Sequence, residues 1–426
     1  MTPRTTATNS TEAVDTGKSA VLIPTGRQMK SYGCMRSLHR AGVDTIVASE
    51  LDRIPHFSSR YCSERRGLPS PWTDLIGYRD GLLEVAARPE VQTIVPVREC
   101  DVYLFARYAD AFDEHVSLVA PSMTTLERGH DRVQLAAAAE SAGVPHARTE
   151  PLSNVADWNV DAVVKSRYNI LTDAYSPQFD ANEVAEVNRV RFLTAEKSPD
   201  QAALREGFRH EPIVQEFIPE ADKHLYCALW DEGEPLATYQ HRQIRKVSWV
   251  GGGGVYRKSA FSRDVDEVAT QLLEELDWHG FACIEYIKDA DTGEWKFLEL
   301  NPRVWLSLPE AVRAGVDFPK FYWNQANGET GPFDDAYPIG TPCHISYGEL
   351  KHLMSIRSDD SPFLESPSFG RRAAEIAVSC LRNRRFDYLR ADDPRFVAAA
   401  VRALVGMETA KDYADVGSDT SAGDLR

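Results

Sequence analysis

Apolar and polar positions alternate along the first part of the chain in a way that predicts strands and helices in turn. An apolar run, Ala20 to Pro24, is followed by a helical pattern from Met29 to Arg40 and by a second apolar run, Val43 to Ala48. The same patterns predict further helices and strands at 73–87, 93–97, 100–113 and 117–120. Strands that alternate with helices are typical of an α/β domain with a doubly wound parallel sheet.

The turn after the first predicted strand lacks the dinucleotide-binding fingerprint that many such sheets carry. It reads TGRQMKSYG, and its glycines do not have the G-x-G-x-x-G spacing that brings a backbone close to a pyrophosphate. The sequence therefore disfavours a nicotinamide- or flavin-dependent dehydrogenase.

A predicted β-hairpin carries the most informative polar pattern. The segment GFACIEYIKDADTGEWKFLELNPRVW begins at Gly280 and has the pattern of two strands joined by the turn DADTGE. With the turn centred near Thr292, Glu285 lies opposite Glu299, and Cys283 lies opposite Asn301. Period-two alternation predicts an apolar face and a polar face, formed respectively by Ile284, Tyr286, Leu298 and Leu300 and by Glu285, Glu299 and Asn301.

The polar face of this hairpin offers only oxygen ligands. Side chains directly opposite each other have Cβ atoms about 4.5 to 5.5 Å apart, so two carboxylates and an amide oxygen can share a hard cation. This ligand set favours Mg²⁺ or Mn²⁺ over zinc. The alternative is that Glu285 and Glu299 are solvated residues on an exposed sheet face.

Length and composition describe a globular chain with more than one domain. The chain has 426 residues, of which 43% are hydrophobic and 26% charged. A single core stops growing near ~250 residues, so two or three domains are expected.

Charge and cysteine usage limit the partners and the compartment. A net charge of -16 repels phosphate backbones, which predicts no nucleic-acid partner. No stretch approaches the ~20 apolar residues of a membrane span, and the first residues have no apolar signal core, so we expect no membrane partner and a cytoplasmic protein. Only 12 cations are Lys, which hints at a high-salt cytoplasm, and the seven cysteines suit a reducing one.

The C-terminal half of the hairpin also resembles a known family. LELNPRVWLSLPEAVRAGVDFP is similar to the terminal motif of the ATP-grasp superfamily, which includes biotin carboxylase, D-alanine:D-alanine ligase and carbamoyl-phosphate synthetase. In that motif Glu and Asn bind metal and a following Arg contacts the reacting groups, which implies these roles for Glu299, Asn301 and Arg303. Glu285 matches the family's earlier metal carboxylate. Arg245, in QHRQIRKVSW, matches the basic residue on the strand that enters the reaction site of carboxylating members.

Two upstream segments and a hinge extend the resemblance to the residues that bind the nucleotide. DRVQLAAAAESAGVP resembles the family's entry helix, which implies a phosphate contact for Arg132, and Lys165 in AVVKSRYN matches the lysine of the smaller nucleotide lobe. IVQEFIPEADKHLY resembles the hinge that holds the nucleoside. The resemblance thus implies adenine contacts for Gln215, Glu216 and Ile218 and a ribose contact for Asp222.

One departure from the family concerns the loop that covers the phosphates. Many members have a Gly-rich loop after the lysine, whereas residues 166–182 contain no glycine. Side chains of Ser166, Arg167, Tyr168 and Asn169 are alternative donors. The glycine run at Gly251–Gly254 lies on the acceptor side. Three interpretations of it stay open: a backbone anion site, a flexible substrate loop or a linker.

The resemblance implies a domain order and a reaction. We expect an ATP-grasp fold of two α+β lobes, preceded by the doubly wound domain and followed by a small C-terminal region. The expected boundaries are a disordered tail at 1–18, the α/β domain at 19–122, the ATP-grasp domain at 123–330 with its smaller lobe at about 146–212, and a C-terminal region at 331–426 with a disordered end.

The reaction implied by the family is an ADP-forming ligation that makes a carbon–nitrogen bond. ATP and Mg²⁺ (or Mn²⁺) would activate a small-molecule carboxylate as an acyl phosphate, which an amine or similar nucleophile then attacks. Two alternatives stay open at this point: phosphorylation of bicarbonate, as in carboxylases and carbamoyl-phosphate synthetase, and a non-catalytic ATP-binding module. A homodimer is also left open.

Overall fold

Three β-sheets organise the part of the chain that the computed structural model describes, residues 19–155, 159–187, 189–195 and 199–407. Their strand orders are β3-β2-β1-β4, β5-β8-β6-β7 and β13-β12-β9-β10-β11-β14, with strands numbered along the chain as given below. The predicted tail at 1–18 and the predicted disordered end of the C-terminal region lie outside the described residues.

The first sheet is parallel, as the alternating pattern predicted. β1 lies between β2 and β4, and β3 continues the sheet beyond β2, with all neighbouring pairs parallel. The sheet is therefore doubly wound around β1. Its elements are β1 (Ala20–Pro24), α1 (Ser31–Arg40), β2 (Asp44–Ser49), a 3-10 helix (Pro55–Ser58), β3 (Glu64–Gly67), α2 (Leu75–Ala86), β4 (Val91–Ile94), α3 (Glu99–Arg107) and α4 (Ala109–Asp113).

The strand predicted at 117–120 does not form. The segment runs beside β4 through one backbone bond, in which the Ser117 amide donates to the Gln92 carbonyl at 3.0 Å. Further along, the Val119 amide turns to the hydroxyl of Tyr322 at 3.4 Å. The segment is thus diverted from the sheet edge by packing against a later helix, which the local apolar pattern does not reveal.

A small antiparallel sheet follows two helices. α5 (Met123–His130) and α6 (Arg132–Ser141) are joined at Asp131, whose carboxylate accepts from the Val133 amide at 2.9 Å and caps α6. The elements of the sheet are β5 (Thr149–Pro151), a 3-10 helix (Leu152–Asn154), β6 (Ala162–Lys165), β7 (Val190–Leu193), α7 (Gln201–Phe208) and β8 (Ile213–Glu216).

The largest sheet is antiparallel throughout and is built around the long hairpin of its second and third central strands, β9 and β10. Its central strands β12, β9 and β10 carry mostly buried side chains, and α6 and α8 cover one face. β13 is the last strand of this sheet, so the predicted hairpin of β12 and β13 forms one edge of it, and that edge bonds to the 145–147 segment before β5. The elements are β9 (Glu220–Asp231), β10 (Glu234–Lys246), β11 (Gly254–Ser259), α8 (Arg263–Glu275), β12 (Gly280–Asp289), β13 (Trp295–Asn301) and β14 (Pro342–His344).

The last helices tie the end of the described chain to its beginning. The first turn of α13 meets α1 and the first 3-10 helix: Asp393, which is 1% exposed, accepts from the Tyr32 hydroxyl at 3.2 Å, the Arg60 amide at 3.3 Å and the Ser59 hydroxyl. Phe396 stacks on Tyr32 with ring centroids 3.7 Å apart. The helices are α9 (Leu308–Ala314), α10 (Phe318–Ala326), α11 (Ser346–Ser358), α12 (Phe369–Arg382) and α13 (Pro394–Met407).

Replacing Asp393 with alanine should destabilise the fold by about 2 to 4 kcal/mol, because buried donors on Tyr32 and Ser59 lose a charged acceptor. Urea unfolding followed by tryptophan fluorescence measures the loss. The matched control is Glu375→Ala, which removes the carboxylate of an exposed ion pair with Arg371 and should cost under about 0.5 kcal/mol. Equal midpoints for the two variants would refute this role of Asp393.

Candidate active site

The two carboxylates of the hairpin lie directly opposite each other, as predicted. β12 and β13 pair Glu285 with Glu299 and Cys283 with Asn301. The next pair is Tyr286 with Phe297, so Leu298 is an extra residue in the ladder. The predicted position of Leu298 on the core face is therefore wrong: the bulge turns its side chain to the polar side, where it lines a cavity.

Three cations stand against these carboxylates. Lys223, on β9, lies 2.5 Å from Glu285. Arg132, at the start of α6, lies 3.4 Å from Glu299, and Lys165, at the end of β6, lies 3.9 Å from the same oxygen. The site therefore gathers residues from all three of these elements and from the hairpin.

Burial and the neighbouring charges shift the pKa values of this cluster in opposite directions. Burial lowers the pKa of Lys165 to about 8, although Glu299 acts against that shift. Burial raises the pKa of Glu299, but the neighbouring Lys165, Arg132 and Lys223 outweigh burial and bring the pKa to about 2. Glu299 is thus an anion at neutral pH, and Lys165 is held close to its titration range.

A chain of polar contacts connects the hairpin to the first domain. Arg303 donates to the Asn301 amide oxygen at 3.0 Å and lies 2.8 Å from Glu99, at the start of α3. Glu99 also contacts His130 at 3.3 Å. Although burial acts to raise the pKa of Glu99, Arg303 and His130 lower it, so this buried carboxylate stays ionised.

A cavity of about 230 Å³ is lined by the two hairpin carboxylates, the three cations around them, Asn301 and Arg303. Glu99 and His130 do not line it. Its far end is formed by residues that the sequence did not single out. Arg257, on β11, is 1% exposed and lies 2.7 Å from Glu310. His241 shares a hydrogen bond of 2.7 Å with the Ser307 hydroxyl, and burial followed by Arg257 lowers the pKa of His241, which keeps its ring neutral.

The glycine run lies along the same end of the cavity. The cavity is lined there by Gly252 and Gly253, in the connection between β10 and β11, and by Gly254, the first residue of β11. A Cβ on Gly254 would lie 2.9 Å from Gln243 and 3.0 Å from Arg257. Glycine at this position lets the loop approach the side chains of two strands.

The predicted nucleoside contacts lie at the junction of the two antiparallel sheets. Glu216 ends β8, and Ile218 lies in the connection to β9, packed with Ala147 and Ile287 and against Leu298. The polar ones have side-chain partners: Gln215 donates to Thr149 at 3.0 Å, Asp222 accepts from Arg242 at 2.6 Å, and Glu216 lies 3.5 Å from Lys296. None of the four lines the cavity.

Arg245 lies on the opposite face of β10 from the cavity. β10 and β11 pair Gln243 with Arg257 and then Arg245 with Tyr256, so Ile244 is an extra residue between them. Successive pairs in a ladder point to opposite faces, and the bulge therefore turns Arg245 away from Arg257. Its guanidinium is held by Glu349 at 2.6 and 3.0 Å.

The glycine-free segment after Lys165 packs onto the protein. Arg167 pairs with Asp131 at 2.6 Å, Asn169 donates to the Leu300 carbonyl at 3.0 Å, and Tyr168 stacks on Tyr175. Of the four side chains considered as phosphate donors, only Ser166 lines the cavity.

The ε-amine of Lys165 should titrate near pH 8, below the ordinary value of ~10.4 for lysine. Removing its anionic neighbour with Glu299→Gln should lower this pKa further. Carbon NMR of reductively methylated lysines, assigned with Lys165→Arg, measures both values. Glu375→Gln, far from the cluster, should leave the Lys165 resonance unchanged, and a rise of the pKa in Glu299→Gln would show that the electrostatic account is wrong.

Comparisons with known proteins show which folds this architecture resembles. No known family model matches the sequence. A stretch of 47 residues is 38% identical to acetyl-CoA carboxylase 1 of Arabidopsis thaliana, which covers 11% of this chain and 2% of that protein.

Solved structures match over most of the chain at low identity. The biotin carboxylase domain of Hydrogenobacter thermophilus 2-oxoglutarate carboxylase has a TM-score of 0.57 at 14% identity, over 74% of this chain and 72% of its own. N5-carboxyaminoimidazole synthetase of Staphylococcus aureus has 0.54 at 12%, over 76% and 80%. Pyruvate carboxylase of Rhizobium etli has 0.56 at 17%, over 75% of this chain and only 29% of its own. The chain therefore has the fold of the ATP-grasp proteins, preceded by a doubly wound α/β domain.

Proposed function

We propose that this protein is an ATP-dependent ligase that activates a carboxylate as an acyl phosphate for attack by an amine or similar nucleophile. The observation that carries the proposal is the face-to-face pair of Glu285 and Glu299, with Lys165, Arg132 and Lys223 around it. Phosphoryl transfer needs this combination, because a triphosphate must be neutralised at several points while a divalent cation bridges its oxygens. The solved 2-oxoglutarate carboxylase domain, whose fold is similar, was determined with MgADP and bicarbonate.

The donor set fits Mg²⁺ or Mn²⁺. Glu285, Glu299 and the amide oxygen of Asn301 share one face of the hairpin and would hold the metal, with water and phosphate oxygens completing its shell. The ammonium of Lys223 already lies against Glu285, which shows that positive charge is stabilised at this position. When bound, the metal supplies charge neutralisation for the phosphates.

The protein's own cations would hold the nucleotide from the other side. Lys165 and Arg132 lie 3.9 and 3.4 Å from Glu299, distances long enough for both to shift toward an incoming phosphate. Arg132 also donates to the Ser166 carbonyl at 3.0 Å, which orients its guanidinium beside the cavity. The nucleoside would extend toward Ile218 and the β8–β9 connection, where Gln215, Glu216 and Asp222 are the proposed contacts.

The acceptor would bind at the end of the cavity formed by Arg303, Arg257 and the glycine run. Arg303 is the proposed group for the acyl phosphate, because its planar guanidinium meets a carboxylate or phosphate with two bonds and it lies beside Asn301. His241 and Ser307 lie at the same end.

Bicarbonate is the second candidate for the phosphorylated acid. Two of the three solved structures named above are carboxylases or carboxylase domains, and one of them was solved with bicarbonate. The two candidates differ in one assay: ADP release that depends on bicarbonate alone favours the carboxylase reaction, and release that depends on an organic acid and an amine favours the ligase.

The proposal also covers the compartment and the oligomeric state of the protein. Seven free thiols suit a reducing cytoplasm. A homodimer is proposed by analogy with the 2-oxoglutarate carboxylase domain, which is described as a dimer. Light scattering on the purified chain tests that assembly. No helix in the described ranges has the length and apolar character needed to cross a membrane.

Glu299→Gln should reduce ADP release by at least about 100-fold, because the variant keeps the shape of the side chain and removes the charge that holds the metal. The assay follows ADP in the presence of Mg²⁺ and pools of carboxylates, amino acids and bicarbonate. Glu267→Gln, on the exposed face of α8, is the matched control and should retain full activity.

Two outcomes would overturn this assignment. Unchanged activity of Glu299→Gln at limiting Mg²⁺ would remove Glu299 from the metal site. Nucleotide binding by the unmodified protein with no ADP release from any pool would favour the non-catalytic module.

The variant Arg245→Lys distinguishes two roles for this residue. The family resemblance implies contact with the reacting groups, whereas its contacts suggest a structural pairing with Glu349. Since Glu349 holds the guanidinium with two bonds in a buried setting, the lysine variant should lose about 2 kcal/mol of stability and keep its acceptor KM. Urea unfolding and acceptor-dependent ADP release measure the two quantities. A raised acceptor KM with unchanged stability would instead support the sequence-based role at the reacting groups.

A further inference from the structure

A second cavity, of about 520 Å³, lies away from the hairpin cluster and shares no lining residue with the first. It is enclosed by the C-terminal half of α1, the end of α9 with the start of α10, and the segment before α13. Its lining residues are Arg36, Ser37, Arg40, Ala41, Val312, Arg313, Asp317, Lys320 and Arg390. We call it the basic pocket.

The charge of the basic pocket is opposite to that of the protein. Five of its nine lining residues are cations and one is a carboxylate, in a chain whose net charge is -16. Asp317 accepts a hydrogen bond from the Ser37 hydroxyl, and Arg36 pairs with Asp392 at 2.6 Å. With Asp392 included, the local excess is still three positive charges.

Two of the cations point into solvent at the mouth of the pocket. Arg40 and Lys320 are exposed, and neither has an ion pair with any residue in the described ranges. They lie on different helices, α1 and α10, so the pocket presents charge from two sides. An anion entering between them would meet both.

The deeper cations are partly buried and weakly compensated. Arg390 donates to the Asp387 carbonyl at 3.1 Å, and Arg313 donates to the Phe386 carbonyl at 2.6 Å. Burial, followed by the proximity of Arg313 and Arg36, lowers the pKa of Arg390, which is the direction expected where cations crowd together. Bound negative charge would relieve that repulsion.

We propose that the basic pocket binds a small phosphate-bearing metabolite, at a site separate from the ATP-grasp cavity. Three guanidinium groups, of Arg36, Arg40 and Arg390, together with Lys320, provide the planar forks and the point charge that phosphate oxygens accept from. A concave site bounded by three segments suits a small molecule rather than an extended polyanion.

The basic pocket is connected to Arg257, which lines the first cavity, through two elements of the fold. Helix α9 carries Arg313 toward the basic pocket and Glu310 toward Arg257. The segment before α13 likewise carries Arg390 into the pocket, while Asp387 pairs with Arg257. Two of the elements that line the basic pocket therefore also hold Arg257 in place.

Calorimetry with inorganic pyrophosphate tests the proposal, in a Lys165→Ala background that weakens phosphate binding at the other cavity. Arg40→Ala/Lys320→Ala should reduce the affinity at least about tenfold, since two charge-assisted contacts are lost. Both side chains are exposed, so the fold should be retained. The matched control, Arg263→Ala/Arg371→Ala, removes two exposed arginines from other helices and should stay within about twofold. Equal losses in the two double variants, or none in the pocket variant, overturn the proposal.

Two further arms use a different anion and the unmodified protein. Citrate, a polycarboxylate of similar charge, is the competing probe: it should bind more weakly than pyrophosphate, and equal or tighter binding overturns the phosphate assignment. Pyrophosphate should also protect Arg40, but not Arg371, from phenylglyoxal labelling read by peptide mass spectrometry. Labelling of Arg40 that pyrophosphate leaves unchanged contradicts the site. Because the two cavities share no lining residue, these results do not depend on the proposed ligase activity.

Discussion

Two carboxylates directly opposite each other on neighbouring strands repel, and the arrangement of this protein around its hairpin follows from that constraint. At a separation of about 5 Å and an effective dielectric of about 20, the repulsion between two unit charges is about 3 kcal/mol. Lys223, Arg132 and Lys165 offset it from three separate elements. The cluster thus holds β6 and α6 against the β13–β12–β9 side of the large sheet, where two carboxylates face three cations.

The same end of the hairpin also joins the first domain to the rest of the chain. Arg303 lies between Asn301 and Glu99, and Glu99 in turn contacts His130 on α5. A buried charge is costly without a partner, so these residues must stay together for the fold to be stable. A residue proposed to contact the reacting groups is therefore also a link between domains, and its replacement would affect both functions.

Much of the site was predictable because it depends on local sequence. The register of Glu285 and Glu299 follows from the position of a short turn, and the parallel sheet follows from alternating strands and helices. The differences from the period-two pattern have identifiable physical causes. An extra residue in the ladder turned Leu298 toward the cavity, and another turned Arg245 away from it. A pattern of period two has no means to anticipate a bulge.

Other residues were missed because their partners are distant in sequence. Lys223 belongs to the long hairpin of β9 and β10, whose strands were not recognised, and its partner Glu285 is on another strand. Arg257 is neutralised by Glu310 and Asp387, which come from a helix and a connection far along the chain. Only the folded structure shows that a fully buried arginine faces the cavity.

The central claim is that the opposed carboxylates hold a metal against the phosphates of a nucleotide. A crystal structure of the protein with Mn²⁺ and a non-hydrolysable ATP analogue tests it directly, through the anomalous signal of manganese. The account predicts a peak about 2.0 to 2.3 Å from oxygens of Glu285, Glu299 or Asn301, with phosphate oxygens on its other side and Lys165 beside them. A nucleotide bound elsewhere, or one bound in the cavity with manganese away from all three residues, would contradict it.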